Sequence, residues 1–222
     1  MQTLERQLPK FIRLYEPGVE KIIELPAENL IAVDANIIMS AVLPREKRTL
    51  YEFLKHKNRA FLKNHNHSYE KTGGRTLVKE KRNCKKRIKI VNAMEDGYFN
   101  NKGLCPIITN KIYAELKYFE RLSGATNIDS LIESMEGNFC TVLLQTDYYR
   151  RKYPVISESL KEEGDFSIAA VSVELGCPMI SDDYISFNTG IQNRIKKEQN
   201  KKWPRTNFML YDSESLAMLL NI

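Results

Sequence analysis

Apolar residues fall along this chain in two rhythms. Short uninterrupted runs occur at Leu30–Val33, Cys105–Thr109, Cys140–Leu144, Met179–Ile180 and Phe208–Tyr211. Runs of that length suit strands buried on both faces, as in a parallel sheet. Between them, apolar residues recur every three or four positions. Ile112, Leu116 and Phe119 do so over Asn110–Leu122, and Ile128, Leu131, Ile132 and Met135 over Thr126–Gly137. Ile168, Val171 and Leu175 repeat the pattern after Asp165, and a last helix runs from Asp212 or Ser213 through Leu220. Each stretch predicts a helix with one face inward. Gly176 follows Leu175 where a left-handed C-terminal position suits glycine, and Pro178 bars continuation. Strands alternating with helices predict an α/β domain with a mainly parallel central sheet flanked by helices.

Elsewhere the pattern is weaker. Leu4, Leu8, Phe11, Ile12 and Tyr15, then Val19, Ile22 and Ile23 beyond Pro17-Gly18, predict two short amphipathic helices. Residues 1–28 therefore read as a helical extension that packs on the body or on a second copy of the chain. Leu50, Phe53, Leu54, Phe61 and Leu62 predict a further helix, and Asn64–Ser68 a loop. Tyr69–Val78 reads as a hairpin turned by Gly73-Gly74. Asn188–Thr206 reads as a polar segment, with Arg194, Lys196, Lys197, Lys201 and Lys202 near Trp203.

A length of 222 residues supports one full core, and 42% hydrophobic with 28% charged residues describes a soluble globular chain. No apolar run is long enough to span a bilayer, and charges at Glu5, Arg6 and Lys10 exclude a secretory core, so the expected location is the cytoplasm. Cys84, Cys105, Cys140 and Cys177 form no C-x-x-C pair and read as reduced thiols. His56, His65 and His67 lack the spacing of a zinc site and read as solvated.

Charge changes the picture more. The net charge is +6, yet residues 45–89 hold sixteen Lys/Arg and four Glu, which leaves a net −6 for the rest. Arg75, Lys79, Lys81, Arg82, Lys85, Lys86 and Arg87 concentrate this excess. Such a run reads either as a solvated arm or as a surface for RNA. Tyr51, Phe53, Phe61 and Tyr69 favour the second, because basic and aromatic side chains together suit single-stranded nucleic acid. The cluster Tyr148–Tyr153 reads first as partly exposed core tyrosines and second as a stacking platform.

Four acids occupy positions that a ligand site would use. Asp34 ends the first buried run, either as cap of the helix that follows or as a ligand on the sheet edge. Asn36 could cap that helix or hold Asp34 in place. Glu115 projects from the stripe of Ile112 and Phe119, where a carboxylate costs several kcal/mol unless paired or metal-bound; a rim position or a lysine partner is the bland alternative. Asp165 opens a helix, and Ser181-Asp182-Asp183 closes a strand. Neighbouring side chains on a strand face opposite ways, so Asp182 and Asp183 cannot both aim at one ion.

The ordered set Asp34, Glu115, Asp165 and Asp183, with V-D-A-N at Val33–Asn36 and S-D-D at Ser181–Asp183, resembles the PIN-domain ribonucleases over roughly residues 29–220. The resemblance implies a three-layer fold for 29–222, with a basic insertion at about 45–103 that the family pattern does not require. It implies a Mg²⁺- or Mn²⁺-dependent endoribonuclease acting on single-stranded or loop RNA. Asp34 and Asp165 would be the main ligands, Glu115 and Asp183 direct or water-mediated ones, and Ser181 an orienting hydroxyl. It puts the fourth ligand at Asp183 and leaves Asp182 as a solvent-facing or capping acid, paired with a nearby lysine. Toxins of toxin–antitoxin pairs, which dimerise and are silenced by a small antitoxin, fall within the resemblance; the basic arm and N-terminal extension depart from such compact chains, and a role in RNA processing or in defence is equally open. A PIN-like module that binds RNA or protein without cutting is the alternative. Asp34-Ala-Asn36 lacks the second acid that a HAD-type phosphatase requires, and a response-regulator receiver would want an acidic pair on its first strand.

Overall fold

The computed structural model describes residues 11–14, 29–42, 73–123, 128–134, 140–183, 186–204 and 208–222. The strands are β1 (Phe11–Leu14), β2 (Asn29–Val33), β3 (Leu104–Thr109), β4 (Cys140–Leu144), β5 (Met179–Ile180) and β6 (Leu210–Tyr211). They form one sheet in the order β1-β4-β3-β2-β5-β6, with every pairing parallel. The helices are α1 (Ala35–Val42), α2 (Gly73–Glu95), α3 (Tyr98–Asn101), α4 (Asn110–Ser123) and α5 (Ile128–Ser134), then α6 (Thr146–Lys152), α7 (Pro154–Ser159), α8 (Glu163–Leu175), α9 (Thr189–Lys202) and α10 (Ser213–Leu220).

Alternation along β2 shows how the sheet is buried from both sides. Leu30 and Ala32 join Ile107, Val142 and Met179 in one apolar cluster, covered by Tyr149 of α6, Ile156 of α7, Phe166 of α8 and Ile195 of α9. Ile31 and Val33 join Ile108 and Ile180 in a second, covered by Ile37 of α1, Ile90 of α2, Ile112 of α4 and Leu216 of α10. The result is a three-layer α/β fold with helices on both faces of a parallel sheet.

Strand order accounts for the division. The chain steps from β2 to β3 to β4 in one direction, then returns to place β5 on the other side of β2. Crossovers of one hand that travel in opposite directions must cover opposite faces. The direction reverses between β2 and β5, and the crevice outside their C-terminal ends is where open α/β sheets bind ligands.

Three expectations are corrected. Phe11–Leu14 is not helical; it is an edge strand paired in register with Thr141–Leu144. The rest of residues 1–28 and the expected 50–62 helix, with Tyr51, Phe53, Phe61, Tyr69 and the three histidines, lie outside the described residues. Gly73-Gly74 opens the 23-residue helix α2 rather than turning a hairpin. The charge of α2 hides its stripe: Asn83, Cys84, Arg87, Ile90, Val91 and Met94 are all buried, and they recur at helical spacing. Asn188–Lys202 is also more than a polar segment. Asn188 caps α9 by accepting from the N–H groups of Gly190 and Ile191. Ile191, Ile195 and Gln199 line the inner side, and the Gln199 amide donates to the carbonyls of Ser172 and Cys177, a polar residue filling an apolar register.

Gly176 takes the left-handed conformation expected of it, at φ 67°, and closes α8. The Trp203 ring lies so near that a Cβ at Gly176 would meet it at 3.0 Å. Among the described residues, no helix is long and apolar enough to cross a membrane. Because α2 is a wall of the core, Ile90→Ala should lower unfolding free energy by about 2–5 kcal/mol. Urea denaturation measures this, and a loss under ~0.5 kcal/mol would mean that α2 is not packed as described.

Candidate functional site

The four acids arrive at the reversal of strand order from four separate elements. Asp34 is the first residue past β2, Asp183 lies three past β5, Asp165 is in the first turn of α8, and Glu115 is on α4. Two strand ends and two helix beginnings therefore share the C-terminal edge of the sheet.

Asp34 is buried. Its Oδ2 accepts from Asn36 Nδ2 at 2.7 Å and from the Ser181 hydroxyl. These partners, rather than the N–H groups of α1, take its carboxylate, while the Asp34 main-chain carbonyl accepts from Ile37 N–H. Asn36 also donates to Ser181 Oγ at 3.1 Å and accepts from the Asp182 N–H at 3.2 Å. One amide thus laces the end of β2 to the end of β5. Ser181 Oγ in turn accepts from the Asp183 N–H at 3.0 Å.

Asp183 is held by Ser186, whose N–H and hydroxyl meet the two carboxylate oxygens at 2.9 and 3.0 Å. The Ser186 side chain also hydrogen-bonds Asp165. Ser186 is a site residue that the sequence reading missed, since a lone Ser before Phe187 carries no motif of its own.

Glu115 packs directly over Gly164 of α8, where no side chain intervenes. A Cβ there would stand 2.4 Å from Glu115 Oε2, closer than real atoms approach. Gly164 is the second missed residue; glycine inside the first turn of a helix was its only signal. Thr109 ends β3 and fastens the same corner. Its hydroxyl accepts from Ile112 N–H at 3.1 Å, capping α4, and lies 2.6 Å from Ser167 Oγ of α8.

The electrostatics are those of gathered negative charge. Burial raises the Asp34 carboxyl well above its ordinary value, the charge of Asp165 adds to this, Ser181 opposes it, and Glu115 and Asp183 raise it further. Glu115 is pushed up to about 7, first by burial and then by Asp165, Glu162 and Asp183. Asp165 is pushed up to about 6 by burial, against the Ser186 hydrogen bond and with Asp183 and Glu162 adding to the rise. Every pair among the four acids is therefore coupled, and exposed Glu162 is a fifth carboxylate within range. Among the described residues, however, no three His, Cys, Asp or Glu side chains form a group that could hold an ion as they stand. The acids are near enough to repel, while Asp34 and Asp183 are turned onto hydroxyl and amide donors. Repulsion over this range fits four acids gathered on one edge of the sheet.

Of the alternatives for Asp182, the capping role holds and the other two do not: it is neither solvent-facing nor paired with a lysine, and its side chain is buried against the Arg87 guanidinium of α2, which is buried too. Its carboxylate also accepts from the Ser213 N–H and hydroxyl, each at 2.8 Å, at the start of α10. Arg87 is thereby removed from the expected RNA-binding set. Lys86 is committed to Glu214 at 2.7 Å, and Lys85 is exposed. Arg75, Lys79, Lys81 and Arg82 belong to α2, with side chains outside the described set. Tyr149 and Tyr153 are core residues, and Tyr153 donates to the buried carboxylate of Glu174 at 2.6 Å. No protein-family model, curated protein or solved structure matches the chain.

Glu115 carries a pH signature. Its folded-state value of about 7 lies above the 4.5 of an ordinary glutamate, so folding favours the protonated form. The associated stability is complete below pH 4.5 and is lost as pH rises through 7. Glu115→Gln should therefore gain stability relative to wild type between pH 5 and pH 8 in EDTA. Denaturation midpoints at both pH values check this, and a difference that does not change with pH would contradict it.

Proposed function

We propose that this protein is a metal-dependent endoribonuclease that hydrolyses phosphodiester bonds of single-stranded or loop RNA. The observation that carries the reading is the convergence of Asp34, Glu115, Asp165 and Asp183 on the edge where β2 and β5 end, from two strand ends and two helices. The resemblance of the same four residues, with Asn36 and Ser181, to the PIN-domain ribonucleases supports it.

The donor set fits a hard divalent cation. All four candidates are carboxylates, their charges repel, and burial holds at least three of them above ordinary carboxylate values. Oxygen donors without nitrogen or sulfur suit Mg²⁺ or Mn²⁺. Asp34 and Asp165 would be the main ligands, with Glu115 and Asp183 completing the set. When bound, the cation would supply Lewis acidity toward the phosphodiester and acidify water.

The chain's own residues prepare this site. Asn36 and Ser181 both donate to Oδ2 of Asp34, which fixes its plane and leaves Oδ1 to ligate. Ser186 restrains Asp183 through two hydrogen bonds and keeps Asp165 beside it. Gly164 lets Glu115 approach the same crevice. No histidine or lysine is needed as proton acceptor at the acids. Exposed cations of α2, Lys85 and Lys89 among them, would attract the RNA backbone.

Purified protein should cut unstructured RNA in Mg²⁺ or Mn²⁺ and not in EDTA, and Asp34→Asn or Asp165→Asn should reduce the rate at least about a hundredfold. Cleavage that survives EDTA or Asp34→Asn would sink the metal mechanism. Binding to RNA without cleavage by wild type would favour the non-cutting module.

Lys85→Gln with Lys89→Gln should weaken RNA binding and flatten its dependence on salt. Two lost phosphate contacts on a single strand should reduce the slope of log affinity against log salt by about 1.4. An unchanged slope would mean that this face of α2 does not meet RNA.

A further inference from the structure

Asp182 stands between two residues of the acid site, yet its side chain leaves in the opposite direction. Its N–H is held by Asn36 at 3.2 Å, and Asn36 also holds Asp34. The following N–H, of Asp183, is held by Ser181 Oγ. The backbone of residue 182 is thus part of the hydrogen-bond lattice that joins β2 to β5. Its carboxylate lies on the other side of the turn, at 1% side-chain exposure, between Arg87 of α2 and Ser213 of α10.

A buried carboxylate with a guanidinium and two further donors has nearly one permitted orientation. Displacing it would strand a charge in the core, a strongly unfavourable arrangement. Because side chains alternate along an extended segment, fixing Asp182 toward α2 and α10 directs Ser181 and Asp183 toward the acids. The same pair ties the turn to α2, the helix that carries the excess positive charge.

We propose that Arg87 and Asp182 are a positioning pair, which locks the Ser181–Asp183 turn and so sets where Asp183 stands in the acid crevice. Its effect on metal and cleavage rests on the nuclease reading; its effect on the turn does not. Arg87 on this account acts on the site through the turn and makes no phosphate contact. Asp182, which the strand alternation turns away from the ion, becomes a residue whose loss is felt at the acids.

The test uses the full chain as wild type, Asp182→Asn and the double variant Arg87→Met with Asp182→Asn. The double variant removes both charges of the pair together, in case Asp182→Asn alone does not fold. Hydrogen–deuterium exchange is followed in peptides covering residues 181–187 and, as reference, 189–202. Titration with MnCl₂ alone and RNA binding in EDTA complete the set. Exchange over 181–187 should rise about tenfold with α9 unchanged. Mn²⁺ affinity should fall about tenfold, the scale seen when groups that orient metal ligands are removed. RNA affinity in EDTA should stay within about twofold, since no phosphate contact is lost. Unchanged exchange over 181–187 in the variants overturns the positioning pair. A fall in RNA affinity with exchange and Mn²⁺ binding unchanged overturns it too, and makes Arg87 a phosphate contact. If wild type takes up no Mn²⁺, the nuclease reading falls, and the exchange result still decides whether the pair holds the turn.

Discussion

A parallel sheet cannot be closed by tight turns. Each strand must be followed by a crossover that returns the chain to the starting edge, so every strand ends on the same side of the sheet. The arrangement of this protein depends on that constraint. Residues that follow β2, β3 and β5, and those that open α4 and α8, are far apart in sequence and share one edge by necessity. Where the strand order reverses, between β2 and β5, open α/β sheets place their ligand crevice. Asp34 and Ser181 are the first residues past the two strands that flank it.

Gathering carboxylates there has a cost that the neighbouring residues are arranged to meet. Burial and mutual repulsion raise Asp34, Glu115 and Asp165 above ordinary carboxylate values. Neutral donors oppose this without adding charge: Asn36 and Ser181 at Asp34, and Ser186 between Asp165 and Asp183. Two cations of the flanking helices are engaged with other acids. Lys111 pairs with Glu163, and Arg87 turns away to Asp182. A site whose charge is held by neutral groups stays receptive to a cation, whereas internal ion pairs would already have satisfied it.

The treatment of positive charge is complementary. Residues 45–89 carry most of the excess, and a solvated arm would be the simplest way to carry it. Instead α2 buries one face, with Arg87 in the stripe, and the charge of Arg87 is tolerable there because Asp182 and the start of α10 receive it. Elsewhere a buried Glu174 gathers Lys152, Lys202 and Tyr153, which joins α6, α8 and α9. Both devices turn charged residues into packing elements, at positions where an apolar pattern would show nothing.

By itself the sequence determined the α/β alternation, five of the six strands, the helices on either side of Asp165 and Glu115, the glycine stop at Gly176 and the identity of four acids in order. These features rest on local rules: apolar periodicity, capping chemistry at Thr109 and Asp212, and the conformational freedom of one glycine. Only the tertiary structure decided the rest. The strand character of Phe11–Leu14 comes from pairing with β4, and the helicity of α2 and α9 from buried stripes containing Arg87 and Gln199, whose polarity masks the period. The partners of Asp182, the closeness of Gly164 to Glu115 and the bridging by Ser186 depend on residues tens to more than a hundred positions apart or on side chains turned by a loop. Their physical cause is long-range contact, and contact between distant segments leaves no periodicity in either of them.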